Sequence, residues 1–144
     1  LGGIHVLRTL DDAVGLRSAL RPGANVAILG SGFVGCEIAA TAAKNGCSVS
    51  IVTQSAVPLD RALGPELGAE VRRRHEAHGV RFFTRDGLFG LVGETAVERV
   101  ILTSGVMLEC DVLVVAIGSD PNTEWLQGSG LDVSDGVLVD AGLR

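Results

Sequence analysis

The sharpest chemical signal in this chain is the run Gly30-Ser31-Gly32-Phe33-Val34-Gly35, with its glycines spaced as GxGxxG. Glycine at the first position permits a tight turn out of a strand. At the second it removes the Cβ, so that a pyrophosphate can approach the backbone, and at the third it lets the following helix pack closely on the sheet. The flanks meet both requirements. Val26-Ala27-Ile28-Leu29 is a short apolar strand running straight into Gly30, and the Ala-rich stretch from Phe33 to Lys44 reads as a helix. The N-terminus of that helix would offer unpaired N–H groups and a positive dipole end to phosphates. A glycine-rich turn alone is weak; one set between a buried strand and a helix points to a dinucleotide. Gly30, Ser31, Gly32, Phe33, Val34 and Gly35 are then its phosphate cradle.

A second site position follows from the same geometry. The ribose is read at the end of the next strand, about 20 residues past the loop. Val49-Ser50-Ile51-Val52 is that strand, and it leads to Thr53 and Gln54. An acid here binds the ribose 2′-OH of NAD, whereas an arginine nearby accommodates the 2′-phosphate of NADP. Residues 53–57 hold neither, and Arg61 is the first cation afterwards. Thr53 and Gln54 can still hydrogen-bond a hydroxyl, so the reading leans to NAD(H), with NADP(H) left open. Glu37, two residues past the loop, reads by spacing as an acid in the first helical turn, favoured by the dipole.

The elements that must position these residues alternate in type. Thr9-Leu10-Asp11-Asp12 resembles a capping box. Leu10, Ala13, Val14, Leu16 and Leu20 then give an apolar stripe on a helix ending near Arg21-Pro22-Gly23. After the glycine-loop helix, closed by Asn45-Gly46, and the second strand, Ser55 to Gly64 reads as a loop. Pro65 opens a further helix running to His78 and stopping at Gly79, and Val80 to Phe83 is a third strand. This order implies a parallel sheet with right-handed crossovers. Beyond residue 86, Leu88 to Val92, Val97 to Thr103 and Val106 to Glu109 read as an antiparallel β-meander, followed by a buried strand from Asp111 to Ile117. The fold class expected is α/β: a Rossmann-type three-layer domain with a central parallel sheet and the meander on one side. No internal boundary is visible, so residues 1–144 read as one NAD(H)-binding domain.

Composition sets the outer limits. With 47% hydrophobic and 20% charged residues the chain is globular. Aromatics make up only 3%, a mix that suits parallel strands buried on both faces. A net charge of −5 gives no reason to expect nucleic acid or an anionic membrane as a partner, and the apolar run Val112 to Ile117 is too short to span a bilayer. Cys36, Cys47 and Cys110 form no CxxC and no metal spacing. They read as three small buried residues in a reducing, cytoplasmic compartment. His75 and His78 lie three apart beside Arg72-Arg73-Arg74, which reads as a solvated helix end without metal. Trp125 reads as a packing residue. No catalytic residue is legible, because no Ser–His–Asp or Cys–His arrangement shows in the spacing.

Four stretches together resemble the pyridine-nucleotide–disulfide oxidoreductase superfamily and, within it, FAD-dependent ferredoxin reductases. They are Leu7-Arg8-Thr9-Leu10-Asp11-Asp12 with its helix, Gly30 through Glu37 as GxGxxGxE, the meander standing where a crossover helix is otherwise found, and Val114-Val115-Ala116-Ile117-Gly118-Ser119-Asp120-Pro121-Asn122 with its GxxPN. Of these, Pro121 fixes a turn and Asn122 suits the N-cap of a short helix from Thr123 to Gln127. The resemblance implies that Glu37 faces the nicotinamide end of the cofactor and that Ile117 and Gly118 pass near nicotinamide and flavin. It also implies hydride transfer from NAD(P)H to FAD and electron transfer onward to an iron–sulfur ferredoxin. Two departures stand out: Thr53 replaces the acid common in NADH-using relatives, and the flavin-binding motifs expected on either side are missing. The chain, which opens at Leu1-Gly2-Gly3, therefore reads as a segment excised from a larger FAD-dependent reductase. Its partner would be the FAD domain of the same parent chain, and the segment alone would hold neither FAD nor full activity. Two rivals are an NAD(H)-sensing regulatory module without redox chemistry and, ranked last, a self-contained NAD dehydrogenase. The latter lacks any Tyr and has no His at a strand end.

Overall fold

The computed structural model describes residues 1–143. A two-residue strand, β1 (Ile4–His5), comes before the first helix, where the sequence shows no periodicity long enough to reveal it; it places His5 at a strand end, where the sequence suggested no histidine. It is followed by α1 (Leu10–Ala19), β2 (Asn25–Leu29), α2 (Phe33–Lys44), β3 (Ser48–Thr53), α3 (Asp60–Ala77) and β4 (Arg81–Thr84). Then come β5 (Leu88–Val92), β6 (Arg99–Leu102), β7 (Met107–Glu109) and β8 (Val112–Val115). The parallel sheet runs β1-β8-β2-β3-β4, with β2 held between β3 and β8. The remaining strands form an antiparallel sheet, β5-β6-β7. Val97, expected inside β6, instead donates its N–H to Gly2 O at 2.9 Å and ties the meander to the chain's start.

Alternation along β2 explains the three layers. Val26 and Ile28 join Leu16, Leu20, Ile38, Ala39 and Ala42 in a cluster under α1 and α2, while Ala27 and Leu29 join Val97, Val100, Leu102 and Leu108 under the meander. A strand buried on both faces reads as a continuous apolar run, as this one does. No helix among the described residues is long and apolar enough to cross a membrane.

The capping box at α1 is complete: Thr9 Oγ1 accepts from Asp12 N–H, and the Asp12 carboxylate accepts from Thr9 N–H at 2.8 Å. The stripe expected on α1 is narrower than the sequence suggests. Leu16 and Leu20 are buried, but Leu10 and Val14 are exposed, because they lie roughly 100° and 140° round the helix from that face. The loop expected from Ser55 to Gly64 also needs correction. A helical turn already begins at Asp60, and Gly64, at φ +78°, breaks it before Pro65 starts the longer segment. Asn122 caps nothing: the short helix shrinks to a 3₁₀ turn, Glu124–Leu126, preceded by Thr123 without a side-chain cap. Trp125 is 77% exposed, against its expected packing role.

Candidate dinucleotide-binding site

The glycine loop lies where three strand ends meet. Gly30 N–H donates to Val52 O at 2.8 Å on β3, and Ala116 N–H, just past β8, donates to Leu29 O at 2.8 Å. Gly30 adopts φ +102°, and a Cβ there would collide with the Ala116 carbonyl. A Cβ on Gly35 would in turn strike the Gly30 carbonyl, so α2 begins in direct contact with the turn that launches it. Gly32 differs from both. It precedes α2 with no side-chain cap, and a Cβ on it would meet nothing within 4 Å.

That contrast assigns each glycine a role. Gly30 and Gly35 are required by the protein's own packing, whereas Gly32 faces open space at a helix N-terminus. The Cys36 N–H finds the Gly32 carbonyl at 3.0 Å, while the N–H groups ahead of it in the first turn have no intrahelical partner. Such a group of donors, with the helix dipole behind it, suits a phosphate. Phe33 and Val34 are exposed beside it.

Ser31 and Thr53 are brought together. Both are buried, and Ser31 Oγ donates to Thr53 Oγ1 at 2.8 Å, locking the loop onto the end of β3. The Ser31 carbonyl accepts from Leu59 N–H at 2.9 Å, so the segment after β3 folds back over the loop. Gln54 is exposed at the same strand end. Ile117 and Gly118 lie on the opposite side: the Ile117 Cα would stand 3.3 Å from a Cβ on Gly30, and Gly118 takes φ +138°. The turn beyond them is tethered, since Arg8 donates to the Asp120 carbonyl at 3.2 Å.

Glu37 is set apart from this group. It lies beyond the first turn of α2, where the sequence reading put it, and α2 has no acid in its first turn. Its side chain is exposed in a groove of about 310 Å³ between α1 and α2, lined by Leu7, Arg17, Thr41 and Asn45 among others.

Two expectations about neighbouring residues need revision. His75 is not a solvated helix end. Its ring is half-buried, with Nε2 3.1 Å from the Cys36 carbonyl and Nδ1 2.9 Å from the Val71 carbonyl, and it meets Phe82 edge-on. It clasps α3 to α2. Cys47 is only half-buried, whereas Cys36 and Cys110 are buried. Burial raises the thiols of Cys36 and Cys110 to about 11, and neighbouring Glu37 adds to the shift at Cys36.

The turn after β4 escaped the sequence reading altogether. Asp86 N–H donates to Thr53 O at 3.1 Å and Arg85 N–H to Ser55 O at 3.3 Å, which joins this turn to the end of β3. The Asp86 carboxylate accepts from the hydroxyls of Ser104 and Thr103 and from the N–H groups of Gly87 and Ser104, and these bonds hold it down at about 2. The signal was present in Arg85-Asp86-Gly87, a charged turn closing a parallel strand at the ligand-binding edge of the sheet.

Residues 1–144 match the family described as pyridine nucleotide-disulphide oxidoreductase over their whole length. The chain belongs to that family. Among its relatives, the chain is 40% identical over 140 residues to the ferredoxin–NAD(+) reductase component of an anthranilate 1,2-dioxygenase system from Burkholderia cepacia, covering 97% of this chain and 34% of the relative. It is 36% identical to a rubredoxin–NAD(+) reductase from Ectopseudomonas oleovorans, covering 97% of this chain and 37% of that protein. Among solved structures, a chain of the covalent putidaredoxin reductase–putidaredoxin complex superposes with a TM-score of 0.88 at 30% identity, covering 99% of this chain and 35% of its own. The chain thus spans about a third of the length of the curated relatives it matches.

Proposed function

We propose that this chain is the NAD(P)H-binding domain of a flavin-dependent reductase, presenting the nicotinamide to an FAD held by the rest of the same parent chain. The observation that carries this reading is the division among the three glycines. Two are fixed by backbone collisions that leave no room for a Cβ, and the third opens onto free N–H groups at the start of α2. A fold that merely needed a tight turn would have no use for the third. These residues therefore fit a dinucleotide.

In this reading the first-turn N–H groups of α2 bind the pyrophosphate. Gln54 and the strand end at Thr53 face the adenosine ribose, and the Ile117-Gly118 backbone borders the nicotinamide. Gly118, with φ +138° and no side chain, would leave room for that ring beside the chain. Glu37 stands on the nicotinamide side: its groove includes Leu7, whose neighbour Arg8 holds the Asp120 loop. The nicotinamide supplies a hydride and the flavin accepts it, while the protein contributes orientation. The names of the relatives support an iron–sulfur ferredoxin, or a protein of that kind, as the electron acceptor of the whole enzyme.

Titration of the chain with NADH, NADPH and FAD by calorimetry tests the reading. Saturable binding of a pyridine dinucleotide without FAD uptake is expected. Tight FAD binding would overturn it, because the glycine loop would then belong to the flavin.

A further inference from the structure

The position that reads the ribose contains no carboxylate. Thr53 occupies it, and its hydroxyl is turned inward to accept from Ser31. From Thr53 to Leu59 the sequence holds no acid at all. The missing negative charge matters, because an acid at this point both binds a 2′-hydroxyl and repels a 2′-phosphate.

The structure supplies a positive charge at the same corner from a part of the chain distant in sequence. Arg85 follows β4, whose last residue, Thr84, is paired with Thr53. Its backbone is fixed to Ser55 by the hydrogen bond described above, in a left-handed conformation at φ +55°. The exposed side chain makes no hydrogen bond or ion pair among the described residues. Asp86, the acid next to it in sequence on that turn, makes no ion pair with it among the described residues. Both oxygens of Asp86 are occupied by Thr103, Ser104 and Gly87. Gln54 leans toward the same turn, its side-chain nitrogen 3.8 Å from where a Cβ on Gly87 would stand.

We infer that Arg85 forms a 2′-phosphate subsite with Gln54, and that the chain binds NADPH at least as tightly as NADH. This rests on the dinucleotide reading above and fixes its cofactor class. A guanidinium suits a phosphate dianion by geometry as well as charge.

The test is calorimetric titration of the chain with NADH and with NADPH, for the parent sequence and for Arg85→Gln and Arg85→Lys. The dissociation constant for NADPH should equal or fall below that for NADH. Arg85→Gln should weaken NADPH about tenfold, as loss of a charge-assisted hydrogen bond does, and leave NADH within about twofold. Arg85→Lys should recover much of the loss. Circular dichroism reports independently whether each variant is folded. Tighter binding of NADH than NADPH by the parent chain would overturn the inference while leaving the proposed function intact. So would an Arg85→Gln variant that keeps its NADPH affinity, or one that loses both dinucleotides equally. Binding of neither dinucleotide by the parent chain would overturn the proposed function, and this inference with it.

Discussion

Two corners of one sheet edge are built on opposite principles. At the glycine loop, backbone meets backbone: Gly35 against the Gly30 carbonyl, and Gly30 against Ala116. At the β3–β4 corner, side chains hold the chain together, with Ser31 on Thr53 and with Ser104 and Thr103 on Asp86. The first corner has a single steric solution, whereas the second could be rebuilt from many polar combinations. A part of a site that must be identical for every dinucleotide can be fixed by sterics. A part that distinguishes one dinucleotide from another must sit where side chains can vary.

Substitution of the glycines should break the comparison most visibly. Gly35→Ala forces α2 off the Gly30 carbonyl and should cost about 3 kcal/mol, the upper range of overpacking. Gly30→Ala should cost about 1 kcal/mol more, because it adds a left-handed φ. Gly32→Ala meets no atom, and its φ of −73° is open to any residue. There, lost backbone freedom in the unfolded chain offsets a poorer helix cap, leaving stability within about 1 kcal/mol. Its dinucleotide affinity should nevertheless fall about tenfold, a loss of about 1.4 kcal/mol. Urea denaturation and calorimetry on the three variants would show this. Equal destabilisation by all three would remove the distinction between packing glycines and a binding glycine.

The hydrogen bond joining the two corners should have a smaller effect. Ser31→Ala leaves the buried Thr53 hydroxyl with the longer Ser55 N–H contact, at 3.3 Å, in place of its 2.8 Å donor, and should cost about 1 kcal/mol. Thr53→Val should cost a similar amount, and the pair changed together should cost less than the sum by about 1 kcal/mol. A double-mutant cycle in urea gives the coupling directly. Additive costs would mean that the loop and the strand end are held independently.

The difference between the corners also explains what the sequence disclosed. Gly30, Gly32 and Gly35 were legible because their spacing is set by the backbone, and so was α2, from Phe33 to Lys44. The apolar alternation of β2, β3 and β8 likewise dictated a sheet buried on both faces. The β4 turn was not legible. Arg85 lies 32 positions after Thr53, and only the strand pairing brings them together. The role of His75 was hidden in the same way, because a histidine beside three arginines looks solvated until the Cys36 carbonyl is placed against its ring. Leu10 and Val14 misled for another reason: on a short helix, a wide apolar arc cannot be told from a narrow one by spacing alone. The expectation that Glu37 faces the nicotinamide came from the resemblance, since its spacing suggests only an ordinary helix acid.

The smallest effect separates the corners by pH. Asp86, held at about 2 against an ordinary 3.8 by its hydroxyl and backbone donors, binds protons less readily in the folded chain than in the unfolded one. A group lowered in this way stabilises the fold fully above its unfolded value and loses that contribution as pH falls through its folded value. The clasp at the β4 turn should therefore be intact at neutral pH and weaken from about pH 4 down to about pH 2. At the glycine-loop corner the Cys36 thiol, which donates to the Ser31 carbonyl, titrates at about 11, so that corner should contribute no slope in this window. Glu70, lowered to about 2 by Arg73 and Arg74 on the surface of α3, titrates in the same range, but salt screens an exposed pair. Urea denaturation between pH 2 and pH 5 in raised salt, with Asp86→Asn beside the parent chain, isolates the clasp. The variant should be less stable at pH 5, and the difference should shrink toward pH 2, because the parent loses its carboxylate there. A difference constant across that range would mean that the turn is held by shape rather than by charge, and the two corners would then be alike.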